Sequence, residues 1–97
     1  LRVSVVTPVF NAGRYLSEAI ESVLRQTHAD WQLILADDGS SDDSLAIAEA
    51  YASAHPHRIV TVRHEGGVNR GASATRNLAL SRADGEVVAF LDADDVW

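Results

Sequence analysis

The chain has 97 residues, of which 46% are hydrophobic, and a formal net charge of −6, as expected for one globular domain with an acidic surface. The acidic balance argues against nucleic acid or an anionic membrane as the main partner. Cysteine is absent, which excludes a disulfide framework, a thiol nucleophile and a thiolate metal site. All eight basic residues are Arg, so chemistries that require a lysine are excluded as well.

Hydrophobic patterning predicts four strands that alternate with three helices. The strands are expected at residues 3–7, 31–36, 58–63 and 86–91. Asn11 is expected to cap the first helix, which should bury an apolar face made of Tyr15, Leu16, Ala19, Ile20, Val23 and Leu24. Trp31, Tyr51 and Phe90 are interpreted as core or partly buried aromatic residues.

The second and third helices have recognisable starts. Ser40 or Ser41 is expected to cap the second helix, with Asp42 and Asp43 in its first turn. Gly71 precedes the third helix, whose buried face should contain Ala72, Thr75, Leu78 and Ala79. None of the four His residues shows the spacing of metal ligands, and we interpret them as structural or exposed.

Strands that alternate with helices predict an α/β fold, with a Rossmann-like, mainly parallel sheet. Open parallel sheets bind ligands beyond the carboxyl ends of their strands. The polar segments that follow the four predicted strands should therefore converge on one edge of the sheet. These segments are residues 8–11, 37–40, 64–71 and 92–95.

The last of these segments is an acidic cluster that directly follows an apolar strand. Asp92, Asp94 and Asp95 place three carboxylates within four positions, where like charges repel by roughly 4 kcal/mol per pair at ~4 Å and an effective dielectric of ~20. A divalent cation, Mg²⁺ or Mn²⁺, is the simplest partner, because hard cations prefer oxygen ligands. The alternative is a polar turn with solvated side chains.

The other polar segments leave two interpretations open. Asp37 or Asp38 could accept hydrogen bonds from a ribose or a base, or could merely cap the next helix. Phe10 could pack against a base or the core, and Arg76 could reach a phosphate or be solvated. Residues 66–73 nearly match a phosphate-binding P-loop, but Ala72 stands where that loop needs Lys, which leaves a loop over a ligand or a plain surface turn.

Five segments, taken together and in order, resemble the family 2 glycosyltransferases, which have the GT-A fold. They are VVTPVFN at 5–11, SVLRQT at 22–27, DDGSSD at 37–42, NRG at 69–71 followed by RN at 76–77, and FLDADD at 90–95. The resemblance covers essentially the whole chain. It implies that residues 1–97 are a single partial domain, the N-terminal, nucleotide-sugar-binding half of the catalytic domain of a hexosyltransferase-type enzyme.

The resemblance also implies a nucleotide-diphosphosugar donor, with a UDP-sugar favoured, a divalent metal, and transfer to an acceptor hydroxyl with inversion. Metal ligation would fall to Asp94, with Asp92 beside it and Asp95 as a substitute. Pro8 and Phe10 would line the base pocket, and Asp38 and Asp37 would contact the base or ribose. The full nucleotide-sugar-binding set would be Pro8, Phe10, Asn11, Asp37, Asp38, Gly71, Arg76 and Asp92.

Thr75 and Ala79 depart from the family pattern, which has small Ala and Gly there. The acceptor is unknown, and no residue can be named as the catalytic base, which we expect beyond Trp97. Both ends look like cuts from a longer protein, so the isolated piece should be inactive, and an unpaired sheet edge predicts that it self-associates. No apolar stretch approaches the ~20 residues of a membrane span. We expect a cytoplasmic location, at the inner face of the membrane through regions outside this chain.

Two other function classes remain open at this point. Residues 92–96 match the Asp-x-Asp-x-Val pattern of haloacid-dehalogenase-type phosphohydrolases, in which the first Asp is a nucleophile. That motif, however, belongs after the first strand of its domain, and the absence of Lys also disfavours it. The other alternative is a non-catalytic fragment that binds nucleotide weakly.

Overall fold

The computed structural model describes residues 2–26 and 30–93. Within these ranges, strands and α-helices alternate along the chain, as the patterning predicts, and a short 3₁₀ turn at Glu65–Gly67 precedes the third helix. The elements are β1 Val3–Val9, α1 Gly13–Leu24, β2 Trp31–Asp37, α2 Ser44–Ala54, β3 Ile59–Arg63, α3 Ala72–Leu80 and β4 Val87–Phe90. In the described ranges, no helix combines the length and apolar character that crossing a membrane requires.

The four strands form one parallel sheet in the order β3-β2-β1-β4, which confirms the predicted α/β fold. Val9 at the end of β1 lies opposite Asp37 of β2, and Val6 lies opposite Phe90 of β4. The chain first builds the sheet outward through β2 and β3, and then returns to the other side of β1. This reversal between β1 and β4 is the place where open α/β sheets form a crevice.

Alternate residues of β1 supply the two layers of the core. Val5 and Val9 pack with Leu16 of α1 and with other residues of α1 and α2 on one face. Val6 packs with Ala79 of α3 on the opposite face. The loops that enter α1 and α3 follow the carboxyl ends of parallel strands, so both loops lie at the same edge of the sheet although the two helices cover opposite faces.

The predicted helix caps are wrong, because the side chains involved bind across to the neighbouring loop. Asn11 Oδ1 accepts a hydrogen bond from the N–H of Ser41 (2.7 Å), and Ser40 Oγ accepts one from the N–H of Asn11 (3.0 Å). The N-cap residues are Ala12 for α1 and Asp43 for α2, and neither side chain caps its own helix. Local sequence suggested caps, but a tertiary partner was available to each of these groups.

The N–H groups at the start of α1 are instead satisfied by Asp42, in the loop between β2 and α2, and by Ser44, the first residue of α2. The buried N–H of Ala12 donates to Ser44 Oγ (2.8 Å), and the N–H of Gly13 donates to Asp42 Oδ2 (3.1 Å). The prediction that Asp42 and Asp43 lie in the first turn of α2 is also wrong, because α2 begins at Ser44 and Asp43 is its N-cap residue. The two loops that follow β1 and β2 are joined by side-chain hydrogen bonds into one unit.

Candidate functional site

A gap opens in the sheet where the ladder between β1 and β4 ends. The last residue pair is Val6 with Phe90, and the carbonyl of Val6 accepts the N–H of Leu91 at 3.0 Å. Backbone groups alternate sides along a strand, so the backbone of Pro8, two residues on, also faces β4. Pro8 has no N–H to donate, and β4 has already ended at this level, so no hydrogen bond of the sheet is lost here. Pro8 thus marks the inner end of a cleft.

Two adjacent cavities of about 320 and 330 Å³ occupy this cleft, and both are lined by Pro8 and Asp92. The first is completed by Arg76 and Phe90. The second is completed by Phe10, Asn11, Ala12, Tyr15 and Ala93. The structure thus brings together five residues of the predicted nucleotide-sugar-binding set: Pro8, Phe10, Asn11, Arg76 and Asp92.

The charges in the cleft suit an anionic ligand and a cation. Arg76, in the second turn of α3, is exposed and forms no hydrogen bond or ion pair with another described residue. Its guanidinium is therefore available, within the part of the chain that is described, to donate to phosphate oxygens. Asp92 is also exposed, at the carboxyl end of β4, and contributes a carboxylate to both cavities.

Aromatic rings stand along the cleft with much of their surface exposed. The exposed fractions are 53% for Phe10, 45% for Tyr15 and 55% for Phe90. The predicted burial of Tyr15 and Phe90 is therefore wrong. Tyr15 lies in the first turn of α1, which projects past the sheet edge, and Phe90 lies on the edge strand β4. A first-turn position in a helix that starts at the carboxyl edge is the signal that could have identified Tyr15.

The described lining of the two cavities does not include the other predicted residues, Asp37, Asp38 and Gly71. Asp37 and Asp38 are both buried at the end of β2. Asp37 Oδ2 accepts the N–H of Ser40 (3.1 Å), whereas its Oδ1 has no partner among the described residues. The carboxylate of Asp38 accepts the N–H groups of Arg70 and Gly71.

Only one of the three predicted metal ligands lies among the described residues. Asp94 and Asp95 lie outside the described residues, and Asp92 is the member of the acidic cluster that the structure describes. Among residues 2–26 and 30–93, no three His, Asp or Glu side chains are close enough to form a metal site. An exposed carboxylate in a cleft that also holds an arginine nevertheless fits Mg²⁺ or Mn²⁺, which take one or two protein carboxylates and complete their shell with phosphate and water.

Comparison with known families shows which family the chain belongs to. The sequence model described as "Glycosyl transferase family 2" matches residues 4–97. The chain belongs to the family 2 glycosyltransferases. This membership confirms the resemblance and favours a glycosyltransferase over a phosphohydrolase. One relative of this glycosyltransferase domain, UDP-Glc:alpha-D-GlcNAc-diphosphoundecaprenol beta-1,3-glucosyltransferase WfgD of Escherichia coli, is 40% identical over 98% of the chain and 36% of its own length.

Solved structures confirm the GT-A fold of the glycosyltransferase domain. Residues 1–349 of TarS of S. aureus, in complex with UDP-GlcNAc, superpose with a TM-score of 0.88 at 31% identity, over 99% of this chain and 27% of that TarS chain. The mannosyltransferase PcManGT of Pyrobaculum calidifontis, in complex with GDP-Man and Mn²⁺, has a TM-score of 0.90 at 27% identity, over 99% of this chain and 28% of its own. The chain thus spans between 27% and 36% of the length of these three matched chains.

Proposed function

We propose that this chain binds the donor of a metal-dependent, inverting glycosyltransferase, which moves a sugar from a nucleotide diphosphate to an acceptor hydroxyl. The observation that carries the proposal is the cleft between the carboxyl ends of β1 and β4. There, an arginine without a described partner and an exposed carboxylate line the same cavity, and exposed aromatic rings stand beside it. A nucleoside diphosphate presents matching groups, namely phosphate oxygens and a flat base.

Different charged residues of the cleft bind the diphosphate and its cation. Arg76 donates hydrogen bonds to the diphosphate, and Asp92, with Asp94 and Asp95, holds Mg²⁺ or Mn²⁺. When bound, the cation supplies positive charge that offsets the negative charge developing on the departing nucleoside diphosphate. Arg76 adds further positive charge to the same cavity, so its removal should weaken binding of a diphosphate more than binding of a nucleoside.

The uncharged residues of the cleft receive the nucleoside. Phe10 is half exposed and offers its ring to the base, while Pro8 forms the floor and the Asn11 backbone is held by Ser40. Stacking on an aromatic ring is worth about 1–3 kcal/mol per base and tolerates any base. The contact of Asp37 with the ribose or base stays a prediction, since its Oδ1 is buried, has no partner among the described residues and is not part of the lining of the two cavities.

The nature of donor and acceptor is proposed from the relatives. TarS is described with UDP-GlcNAc, PcManGT with GDP-Man, and WfgD by a UDP-Glc donor and a diphosphoundecaprenol-linked acceptor. We favour a UDP-sugar, since TarS and WfgD, the more similar in sequence, both pair with one. A lipid-linked or polysaccharide intermediate is the corresponding acceptor, and such an acceptor would place the transfer at the cytoplasmic face of the membrane.

The experiment is a thermal-shift titration of the full-length protein with UDP and with GDP, each with and without Mn²⁺. We expect UDP with Mn²⁺ to raise the melting temperature and Arg76→Gln to remove most of the shift. Arg82→Gln, a matched change of an exposed arginine just past α3, should leave the shift intact. Asp94→Ala should abolish the part of the shift that depends on Mn²⁺. An undiminished shift in Arg76→Gln would refute the assignment of the cleft.

A further inference from the structure

We propose that the outer edge of β3 is a dimer interface, at which β3 pairs in antiparallel orientation with β3 of a second copy of this chain. The proposal goes beyond the proposed function and does not depend on it. Three observations carry it. The edge of β3 is open, a groove with an unpaired buried hydroxyl runs along it, and the charges at the two ends of the strand are complementary.

The outer side of β3 carries backbone groups that the sheet does not use. β3 is the end strand in the order β3-β2-β1-β4. The carbonyl of Arg58 accepts the N–H of Leu33 in β2 (2.7 Å), so every second residue from Arg58 onward directs its backbone groups to β2. The backbone groups of the residues between them, which include Thr61 and Arg63, point away from the sheet. An edge of this kind is a template for pairing with another strand.

A groove of about 330 Å³ runs along the same edge, between β3 and α2. Ala52 and Ser53 line its α2 side, and Thr61 lines its β3 side. Thr61 Oγ1 is buried and has no hydrogen-bond partner among the described residues. Because buried hydroxyls in folded proteins are nearly always paired, this atom points to a partner on the open side of the strand. The small side chains of α2 leave room for that partner to approach.

Thr61 is the middle residue of β3, so a two-fold axis through it sets the strand opposite itself. Thr61 then faces Thr61 of the second copy, and Ile59 faces Arg63. All three residues direct their backbone outward, so these positions form the hydrogen-bonded pairs of an antiparallel ladder. The N–H of Ile59 already donates to the carbonyl of His55 (2.9 Å), so Ile59 contributes its carbonyl alone. Threonines in opposite positions can hydrogen-bond to each other, which gives each buried Thr61 hydroxyl a partner.

The same pairing brings opposite charges together at both ends of the strand. Ile59 packs in the core layer that contains Ala48 of α2, and Arg63, four residues on, is on the same face of β3. Arg63 of the second copy therefore lies beside Ile59, in the groove that Glu49 also lines. Glu49 and Arg63 are exposed, and neither forms an ion pair or hydrogen bond with another described residue.

The charges also select the register of the pair. A slip of one residue would move Arg63 of the second copy to the opposite face of the sheet, away from Glu49. Two-fold symmetry forms the pair of Glu49 with Arg63 twice in each dimer. One short strand, one threonine pair and two ion pairs make a small interface, and interfaces below about 1,200 Å² are typical of weak association.

The test is sedimentation velocity of the full-length protein from about 1 to 500 μM, because a small interface is expected to give a Kd of about 10–100 μM. Glu49→Arg and Arg63→Glu each place like charges in contact at both ends of the strand pair, and each should weaken the dimer about tenfold. The double variant restores the pair with its signs exchanged, so its Kd should return to within about threefold of wild type. Glu18→Arg, a matched change of an exposed carboxylate on α1, should dimerise like wild type.

Hydrogen exchange at the amides of Thr61 and Arg63 locates the interface. We expect their protection to increase with protein concentration as the dimer forms. Protection that is equal at all concentrations would show that another segment of the same chain covers β3, and the proposal would be wrong. A dimer in which both amides still exchange fast would have its interface elsewhere, which would overturn the proposal as well.

The remaining outcomes are equally decisive. A monomer over the whole concentration range contradicts the proposal, and so does a dimer that a folded double variant fails to restore. If Arg63→Glu does not fold, Glu49→Arg decides, since Glu49 is exposed and has no partner among the described residues that the change could disturb. An unchanged Kd in Glu49→Arg would then refute the pairing.

Discussion

Ser44 is the residue where the joined loops of β1 and β2 can be tested most sharply. Its side chain is completely buried, and its Oγ accepts the buried N–H of Ala12 (2.8 Å) at the start of α1. The same hydroxyl donates to Asp42 Oδ1 (2.5 Å). Ser44→Ala removes both hydrogen bonds without changing the backbone of α2.

The magnitude follows from which group is left without a partner. The N–H of Ala12 becomes an unsatisfied buried donor, which costs about 1–3 kcal/mol. Asp42 is exposed, so water replaces the lost bond there at little cost. Alanine gains up to about 0.5 kcal/mol over serine as a helix former. The cost of the unpaired donor exceeds that gain, and we expect a net loss of about 0.5–2.5 kcal/mol in the free energy of unfolding.

The assay is equilibrium unfolding in urea, with Ser41→Ala as the matched control. Ser41 is exposed, and its hydroxyl lies 3.3 Å from Asn11 Oδ1, which also accepts the N–H of Ser41 at 2.7 Å. Ser41→Ala should therefore cost less than about 0.5 kcal/mol. With an unchanged m-value, Ser44→Ala should lower the urea midpoint by on the order of 1 M. Equal midpoints for the two variants would refute the claim that the loops cap each other.

Four further predictions follow from the structure. Gly39→Ala should lower the free energy of unfolding in urea by about 2 kcal/mol or more, because the added Cβ clashes with the Asn69 backbone and a φ of +71° is strained for alanine. Gly66→Ala, at φ +76° with no atom closer than 3.9 Å, should cost about 1 kcal/mol. Equal losses in the two variants would contradict the contact between Gly39 and Asn69. Hydrogen bonds from the side chain and backbone of Ser44, and from the backbone of Gly13, lower the pKa of Asp42, so its stabilising effect is present above the ordinary value of 3.8 and is lost as pH falls through the lower folded value. Near neutral pH, Asp42→Asn should therefore have a lower urea midpoint than wild type, and the two midpoints should coincide at a pH below the pKa of Asp42 in the folded protein. A difference in midpoint that stays constant over this pH range would contradict the lowered pKa. Phe10→Ala should leave stability within about 0.5 kcal/mol but weaken UDP binding about tenfold, and calorimetry showing full affinity would exclude stacking there. Finally, the isolated chain should self-associate through β4, where Val87 and Phe90 are 42% and 55% exposed, and light scattering that shows a monomer at all concentrations would count against this.

The type and order of the elements could be predicted from runs of β-branched and apolar residues and from the helical spacing of apolar residues, which is clearest in α1. The alternation of strand and helix patterns was enough to predict a parallel α/β sheet. In such a sheet, the loops that follow the strands lie at one edge. Pro8 and Arg76, far apart in sequence, meet in one cavity for this reason. The position of β4 beside β1 could not be read from the patterning, since nothing local shows on which side of the sheet the chain returns.

The errors share a physical cause, which is competition between local and tertiary partners. Asn11 and Ser40 have side chains that commonly cap helices, but each forms its hydrogen bond with the neighbouring loop instead. Tyr15 and Phe90 have apolar rings in the right register for burial, but they lie where the sheet ends. The carboxylate of Asp38 also has a tertiary partner, since it accepts a hydrogen bond from the loop before α3, while its contact with a base or ribose stays a prediction.

The most direct test of the account is a crystal structure of the full-length protein with UDP and Mn²⁺. The account predicts that the diphosphate lies in the cleft between the carboxyl ends of β1 and β4, within hydrogen-bond distance of the Arg76 guanidinium, with Mn²⁺ on the side of Asp92. A diphosphate bound away from both residues, with the cleft between Pro8 and Phe90 left to solvent, would contradict it.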